Sequence, residues 1–211
     1  MAGMKLYLSS HGIPDVKDFL EFVGKPARKI KFGLIMNAKD HNVPVERAAK
    51  RNEMLAYFKG FGLSVHEIDL RDYYGGSSNS DLIAEFRRFD VLWLNGGNTY
   101  SLRWALAESK AEQPLEEALK GGVIYGGNSA GAIVAGPTLK YFDNVDDPSH
   151  APQAIYKGLG LIDRAILPHW GSKGFGKAVK STKRRLERDG YQTIALTDGD
   201  ALTVEVTEVS E

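Results

Sequence analysis

No cysteine occurs among the 211 residues of this chain. That absence removes disulfides, thiolate metal sites and every mechanism that needs a cysteine nucleophile, and nothing argues for an oxidising compartment. An excess of charge of either sign is also missing. Lysine and arginine total 27 and aspartate and glutamate total 27, so no global field favours nucleic acid or an acidic membrane, and any charge selectivity must be local. No apolar run approaches a membrane span, and the opening Met1-Ala2-Gly3-Met4-Lys5 turns polar too soon for a signal peptide. The expectation is a cytoplasmic protein with no membrane or nucleic-acid partner. There is no internal repeat and no low-complexity tail. With 43% hydrophobic and 26% charged residues, the chain is long enough to bury one substantial core, so a single domain over residues 1–211 is expected.

What is present is an alternation of short apolar runs with longer segments of helical period, the pattern of an α/β protein in which helices cross over a mostly parallel sheet. Strands are predicted at Lys5 to Leu8, Ile30 to Met36, Val65 to Leu70, Val91 to Leu94, Val123 to Tyr125, Arg164 to Leu167, Thr193 to Leu196 and Ala201 to Val206. Val45 to Phe58 reads as a helix started by Pro44, with Ala48, Ala49, Met54, Leu55 and Phe58 on its inner face. Asp81 to Phe89 and Thr99 to Glu108 read the same way, the second burying Leu102, Ala105 and Leu106. Tyr73 to Ser80 is a turn-rich connector, and Thr138 to Gly160 is a long polar loop of the kind that often forms sites.

Gly127-Asn128-Ser129-Ala130-Gly131 follows the apolar Val123-Ile124-Tyr125 directly. A strand that ends in this pattern and turns sharply into a helix lifts its central hydroxyl clear of the sheet, which makes Ser129 a candidate nucleophile and the Ala130 N–H a natural oxyanion donor. A serine needs a base. Of five histidines, His11, His41 and His66 precede the elbow, and His150 falls in the polar loop, where it is expected to face water. His169 follows Ile166-Leu167-Pro168 at a strand end, the edge where catalytic groups collect in open α/β sheets, and is the candidate base. The imidazole in turn needs a carboxylate. Asp198 ends the next strand and is preferred, because a strand end holds a carboxylate more rigidly than the loop that carries Asp143, Asp146 and Asp147.

A second turn, Asn95-Gly96-Gly97-Asn98-Thr99-Tyr100, follows Val91 to Leu94 and opens a helix, so Gly97 is a candidate second oxyanion donor. The dinucleotide spacing Gly-x-Gly-x-x-Gly is absent, and no cofactor or metal is expected. Asn98, Thr99 and Asn128 are candidate substrate-binding residues. A basic run from Lys173 to Arg188 puts Lys177, Lys180 and Arg184 at helical spacing, the usual pattern of a solvated surface helix.

The two glycine turns and Pro168-His169, in this order and at these separations, resemble the peptidase E family of aspartyl dipeptidases and its relative cyanophycinase. The resemblance implies a three-layer fold similar to class I glutamine amidotransferases, with serine in place of their cysteine. It also implies hydrolysis of small peptides, dipeptides with N-terminal aspartate above all, and a possible homodimer. Such a substrate needs fixed positive charge for its side-chain carboxylate, for which Lys183 and Arg184 of the basic run are the candidates. The family's acid after the histidine is often glutamate, so Asp198 is one methylene shorter than usual. Two other readings stand beside this one: an esterase or amidase of α/β-hydrolase type with its acid in the Asp143 to Asp147 loop, and a non-catalytic small-molecule binder.

Overall fold

A computed structural model describes residues 3–75 and 79–206; Gly76, Ser77 and Ser78 of the expected connector lie outside the described residues. Five strands, β1 (Met4–Ser9), β2 (Lys31–Ile35), β3 (Ser64–Glu67), β4 (Val91–Leu94) and β5 (Ile124–Asn128), run parallel, and a sixth, β8 (Ala201–Val206), pairs antiparallel with β1. Their order is β3-β2-β4-β5-β1-β8. Alternation along the strands sends residues to two separate cores. Leu6, Leu8, Leu92, Leu94 and Tyr125 enter one, while Tyr7, Phe32, Leu34, Val91, Trp93 and Ile124 enter the other. The first core is closed by α3 (Asn79–Phe86), α4 (Thr99–Glu108), α5 (Glu112–Lys120) and α6 (Ala130–Ala135), and the second by α1 (Val16–Val23) and α2 (Pro44–Gly60). The result is an α/β sandwich of three layers with a mostly parallel central sheet.

Two further strands, β6 (Arg164–Leu167) and β7 (Gln192–Ala195), form a separate parallel pair, linked by α7 (Gly176–Arg188). The sequence reading put all catalytic strand ends on one sheet edge, whereas the histidine and the acid hang from this second, smaller sheet. Ala165, Ile166 and Leu167 pack into the same core as α6, which keeps the small sheet against the elbow helix.

Several local expectations need correction. Helices α1 and α5 were not anticipated, although α1 carries plain signals: Asp15 accepts from the N–H groups of Lys17 and Asp18, and Gly24 closes the helix at φ 74°. Strand β3 ends at Glu67, because Leu70–Tyr73 forms a 3-10 turn capped by Asp69. Ala48 and Ala49 of α2 are exposed, and the buried places on that helix go to Phe58 and Arg47. Arg47 is held by Asp40 at 2.7 Å, Asp69 at 3.1 Å and Glu67 at 3.3 Å. A charge this deeply buried survives only when paired, and a period of apolar residues gives no warning of it.

Close approach fixes the geometry at the elbow. Gly131 lies on the Leu94 carbonyl and Gly97 on the Ala38 carbonyl, so a Cβ at either position would collide with backbone. Trp93, fully buried and stacked on Phe32 at 5.7 Å, donates its indole N–H to Asn128 Oδ1 at 3.0 Å. The aromatic core is thereby tied to the residue before Ser129. Leaving that indole unpaired would cost about 1–3 kcal/mol.

Candidate active site

Ser129 sits between β5 and α6 at φ 49°, ψ −111°, a backbone conformation that residues with side chains rarely adopt. Such strain is characteristic of a nucleophile elbow, and it is held here by packing on both sides. Its N–H donates to the Ser9 carbonyl at 3.1 Å, so the elbow is stitched to the end of β1. Ala130 begins α6, where geometry leaves its N–H without an intrahelical acceptor.

His169 follows β6 with φ 60°. Its Nε2 lies 2.9 Å from Ser129 Oγ, and its Nδ1 lies 2.6 Å from Asp198 Oδ1. With Nδ1 donating to the carboxylate, Nε2 is left as an acceptor for the serine proton. The pairing of β6 and β7 continues past both strands, through Leu196 N–H to Leu167 O at 2.9 Å and Trp170 N–H to Leu196 O at 3.0 Å, and this sets His169 beside Asp198. Burial disfavours the charge on Asp198, but the hydrogen bonds from Ser10 and His169 and the charge of His169 hold its carboxyl below the usual aspartate value.

Ser10 was not singled out from the sequence. Its hydroxyl donates to Asp198 Oδ1 at 2.8 Å, accepts from the His169 N–H at 2.7 Å and lies 3.5 Å from His169 Nδ1. Ser9 and Ser10 therefore join the sheet that carries Ser129 to the sheet that carries His169 and Asp198. Asp198 needs such a clamp because half of its side chain is exposed, 51% against 13% for His169. Ser10→Ala should lower kcat about tenfold, leave KM nearly unchanged and keep the fold, as the loss of one hydrogen bond to a charged group implies. Steady-state kinetics on the variant tests this, and recovery by Ser10→Thr would separate positioning from a packing defect.

Ser129 and His169 open into a cavity of about 690 Å³, whose walls include Gly96, Gly97, Asn98 and Asn128 from the two turns and Val145, Asp146 and Asp147 from the long loop. The other expected residues divide. Asn128 lines the cavity, but its Oδ1 accepts from Trp93 and from the Gly96 N–H at 3.2 Å, so it binds the two turns together. Asn98 caps α4 by accepting from the Ser101 N–H at 2.9 Å and donates to the Asp147 carbonyl at 2.9 Å. Thr99 is fully buried and gives both its N–H and its hydroxyl to Asp146, so it supports the wall without lining it. Among the described residues the Gly97 N–H has no hydrogen-bond partner, while its neighbours are occupied, Gly96 with Asn128 and Asn98 with the Ala38 carbonyl at 2.8 Å.

Lys183 and Arg184 lie on α7 outside the cavity lining, with Lys183 paired to Glu187. The cations that do line it are Lys39 and Lys50, which lack any motif that would mark them in sequence. Of the loop aspartates, Asp146 is engaged by Thr99, Asp147 caps the 3-10 turn Pro148–His150, and Asp143 lies 4.0 Å from Arg185. Burial pushes the Asp146 carboxyl up, against the opposing pull of Thr99, His169 and Lys39. His150 is exposed as expected but is not merely solvated: its ring stacks on His41 at 4.5 Å, and both line the cavity. Among the described residues no group of three or more His, Asp and Glu side chains is arranged to hold a metal ion, and no helix is long and apolar enough to cross a membrane.

Comparison with known proteins agrees with this architecture. An uncharacterized peptidase of Listeria innocua, Lin0382, is 33% identical over 120 residues, covering 56% of this chain and 56% of that one. A peptidase E of Streptomyces coelicolor is 31% identical over 144 residues, covering 65% of this chain and 57% of that one. The chain thus spans only a little over half the length of these curated relatives. The solved structure of a provisionally assigned peptidase E protein from Listeria monocytogenes EGD-e shares the fold, with a TM-score of 0.75 and 24% identity over 98% of this chain and 100% of that one. The description of Peptidase family S51 matches residues 17–211, and the chain belongs to that family.

Proposed function

We propose that this chain is a serine peptidase that hydrolyses small peptides, dipeptides with N-terminal aspartate in particular. The observation that carries the reading is the chain of contacts from Ser129 Oγ to His169 Nε2 at 2.9 Å and from His169 Nδ1 to Asp198 at 2.6 Å, at the floor of a cavity sized for a small ligand. In the reaction, Ser129 Oγ attacks the peptide carbonyl as its proton passes to His169 Nε2. The oxyanion is received by the N–H groups of Ala130 and Gly97, and the imidazolium returns the proton to the departing amine. Water then enters by the same base catalysis, and breakdown of the acyl-enzyme restores Ser129. Asp198 stays ionised throughout and steadies the imidazolium, with Ser10 fixing the short carboxylate.

The S51 membership supports the peptidase class, and the cavity supports short substrates. Selectivity for aspartate needs fixed positive charge facing the reacting carbonyl. A panel of Asp-X, Asn-X, isoaspartyl and neutral dipeptides, with a simple ester alongside, tests the reading. Asp-X dipeptides should be cleaved with kcat/KM about ten- to a hundredfold above their Asn-X counterparts. Cleavage of the ester with no hydrolysis of any peptide would replace peptidase by esterase.

A further inference from the structure

The cavity wall facing the catalytic groups carries two lysines that the catalytic chemistry does not use. Lys39 is half-buried on the turn after β2, and Lys50 is half-buried on α2. Both line the cavity, and among the described residues neither forms an ion pair. Asn42 fastens them together: its Nδ2 donates to the Lys39 carbonyl at 2.8 Å, and its Oδ1 accepts from Lys50 Nζ at 2.7 Å. The turn itself is pinned from below by Asp40, which receives Arg47 Nε at 2.7 Å and Asn37 Nδ2 at 2.7 Å. It is pinned from the side by the Ala38 carbonyl, which accepts the Asn98 N–H at 2.8 Å and lies against Gly97. Lys50 Nζ is thus held at the turn that carries Lys39, and both lysines line the cavity that contains Ser129.

We infer that Lys39 and Lys50 form a carboxylate-binding subsite of the Ser129 cavity, which orients a peptide substrate by one of its free carboxylates. The inference rests on the peptidase reading for its link to turnover, while the subsite itself rests on the wall. Burial, and then the charge of Lys50, hold the Lys39 ammonium below the usual lysine value, and the charges of Asp146 and Glu53 only partly offset this. An arriving carboxylate would relieve that strain, whereas a neutral group would not. The acidic groups nearby do not already serve as partner. Asp146 is engaged by Thr99, Asp147 caps the following turn, and Glu53, which also lines the cavity, forms no ion pair with either lysine among the described residues. The stacked His41 and His150 close the same wall, and burial, with the charges of His150, Lys39 and Lys50, keeps His41 below the usual histidine value. The stacked rings add shape and hydrogen-bonding capacity to the wall beside the two lysines.

The carboxylate can come from the acidic side chain or from the C-terminus of the peptide, and four ligands separate these sources: Asp-Ala, Asn-Ala, and the C-terminal amide of each. Calorimetric titration into the Ser129→Ala protein measures binding without turnover. In the Lys39→Met and Lys50→Met backgrounds, ligands that use the subsite should bind about ten- to a hundredfold more weakly, and Asn-Ala amide should be unaffected. A loss shared by Asp-Ala and Asp-Ala amide assigns the side-chain carboxylate, and a loss shared by Asp-Ala and Asn-Ala assigns the C-terminus. Equal binding of all four ligands by the Ser129→Ala protein, or unchanged binding in both lysine variants with the native circular dichroism spectrum retained, overturns the subsite. Labelling of Ser129 by an uncharged fluorophosphonate, run on the parent protein and on the lysine variants, reads the catalytic machinery separately. Loss of labelling in the parent would count against the peptidase reading and leave the binding result standing.

Discussion

Ser129→Ala should abolish peptide turnover, with kcat falling by at least about 10⁴-fold, while the protein unfolds at nearly the same temperature as the parent. The size of the effect follows from what the hydroxyl does: without Oγ there is no acyl-enzyme, and what remains is the modest help of the oxyanion donors and of substrate positioning. Little structural loss is expected, because Ser129 is half-buried, its N–H bond to Ser9 is made by the backbone, and among the described residues its Oγ is hydrogen-bonded to His169 alone. The strain at φ 49° is the same for alanine as for serine. Kinetics and thermal unfolding on one preparation check both halves.

Asp198→Asn should lower kcat by about 10³- to 10⁴-fold with KM little changed. The amide carries no charge to steady the imidazolium that forms when Nε2 takes the Ser129 proton. Ser10 Oγ and His169 Nδ1 both bond to Oδ1, at 2.8 and 2.6 Å, so an NH2 placed there would meet two donors and force Nδ1 to accept, whereas an amide oxygen placed there keeps the geometry without the charge. Substitution of Asp143 or Asp147 should leave kcat within about twofold, since neither is bonded to the imidazole. The pH dependence follows the same logic. Asp198 is held below the ordinary aspartate range, so its contribution is present at every pH above that range and vanishes only as pH falls through its lowered value. Protonation of Asp198 therefore accounts for no loss of activity above the ordinary aspartate range. With half its side chain exposed, Asp198 adds little to overall stability in either direction.

The parts of the site that could be read in the sequence are those in which backbone geometry demands a particular residue. Gly127 and Gly131 flank Ser129 because the turn leaves no room for a Cβ, and His169 and Asp198 end short apolar runs that are strands. Other features depend on contacts between distant segments and leave no local mark. Ser10 matters because β1 runs between the elbow and the small sheet. Lys39, on the turn after β2, and Lys50, on α2, meet at the cavity because Asn42 bonds both and the Arg47 network holds the turn beside the second glycine turn. Lys183 and Arg184 drew attention through density of charge, which α7 spends on its own exposed face. The same limit applied to the fold: the alternation of apolar runs gave the strands, while the split of β6 and β7 from the main sheet is a matter of pairing that no period encodes.

The account turns on whether Ser129 is a nucleophile activated by His169. Incubation of the parent, His169→Ala and Ser129→Ala proteins with an uncharged fluorophosphonate, followed by peptide mass mapping, measures this directly. A single phosphonyl adduct on Ser129 in the parent, slowed by orders of magnitude in His169→Ala and absent in Ser129→Ala, is the predicted result. An unmodified Ser129 in the folded parent, or equal labelling with and without the imidazole, would contradict it.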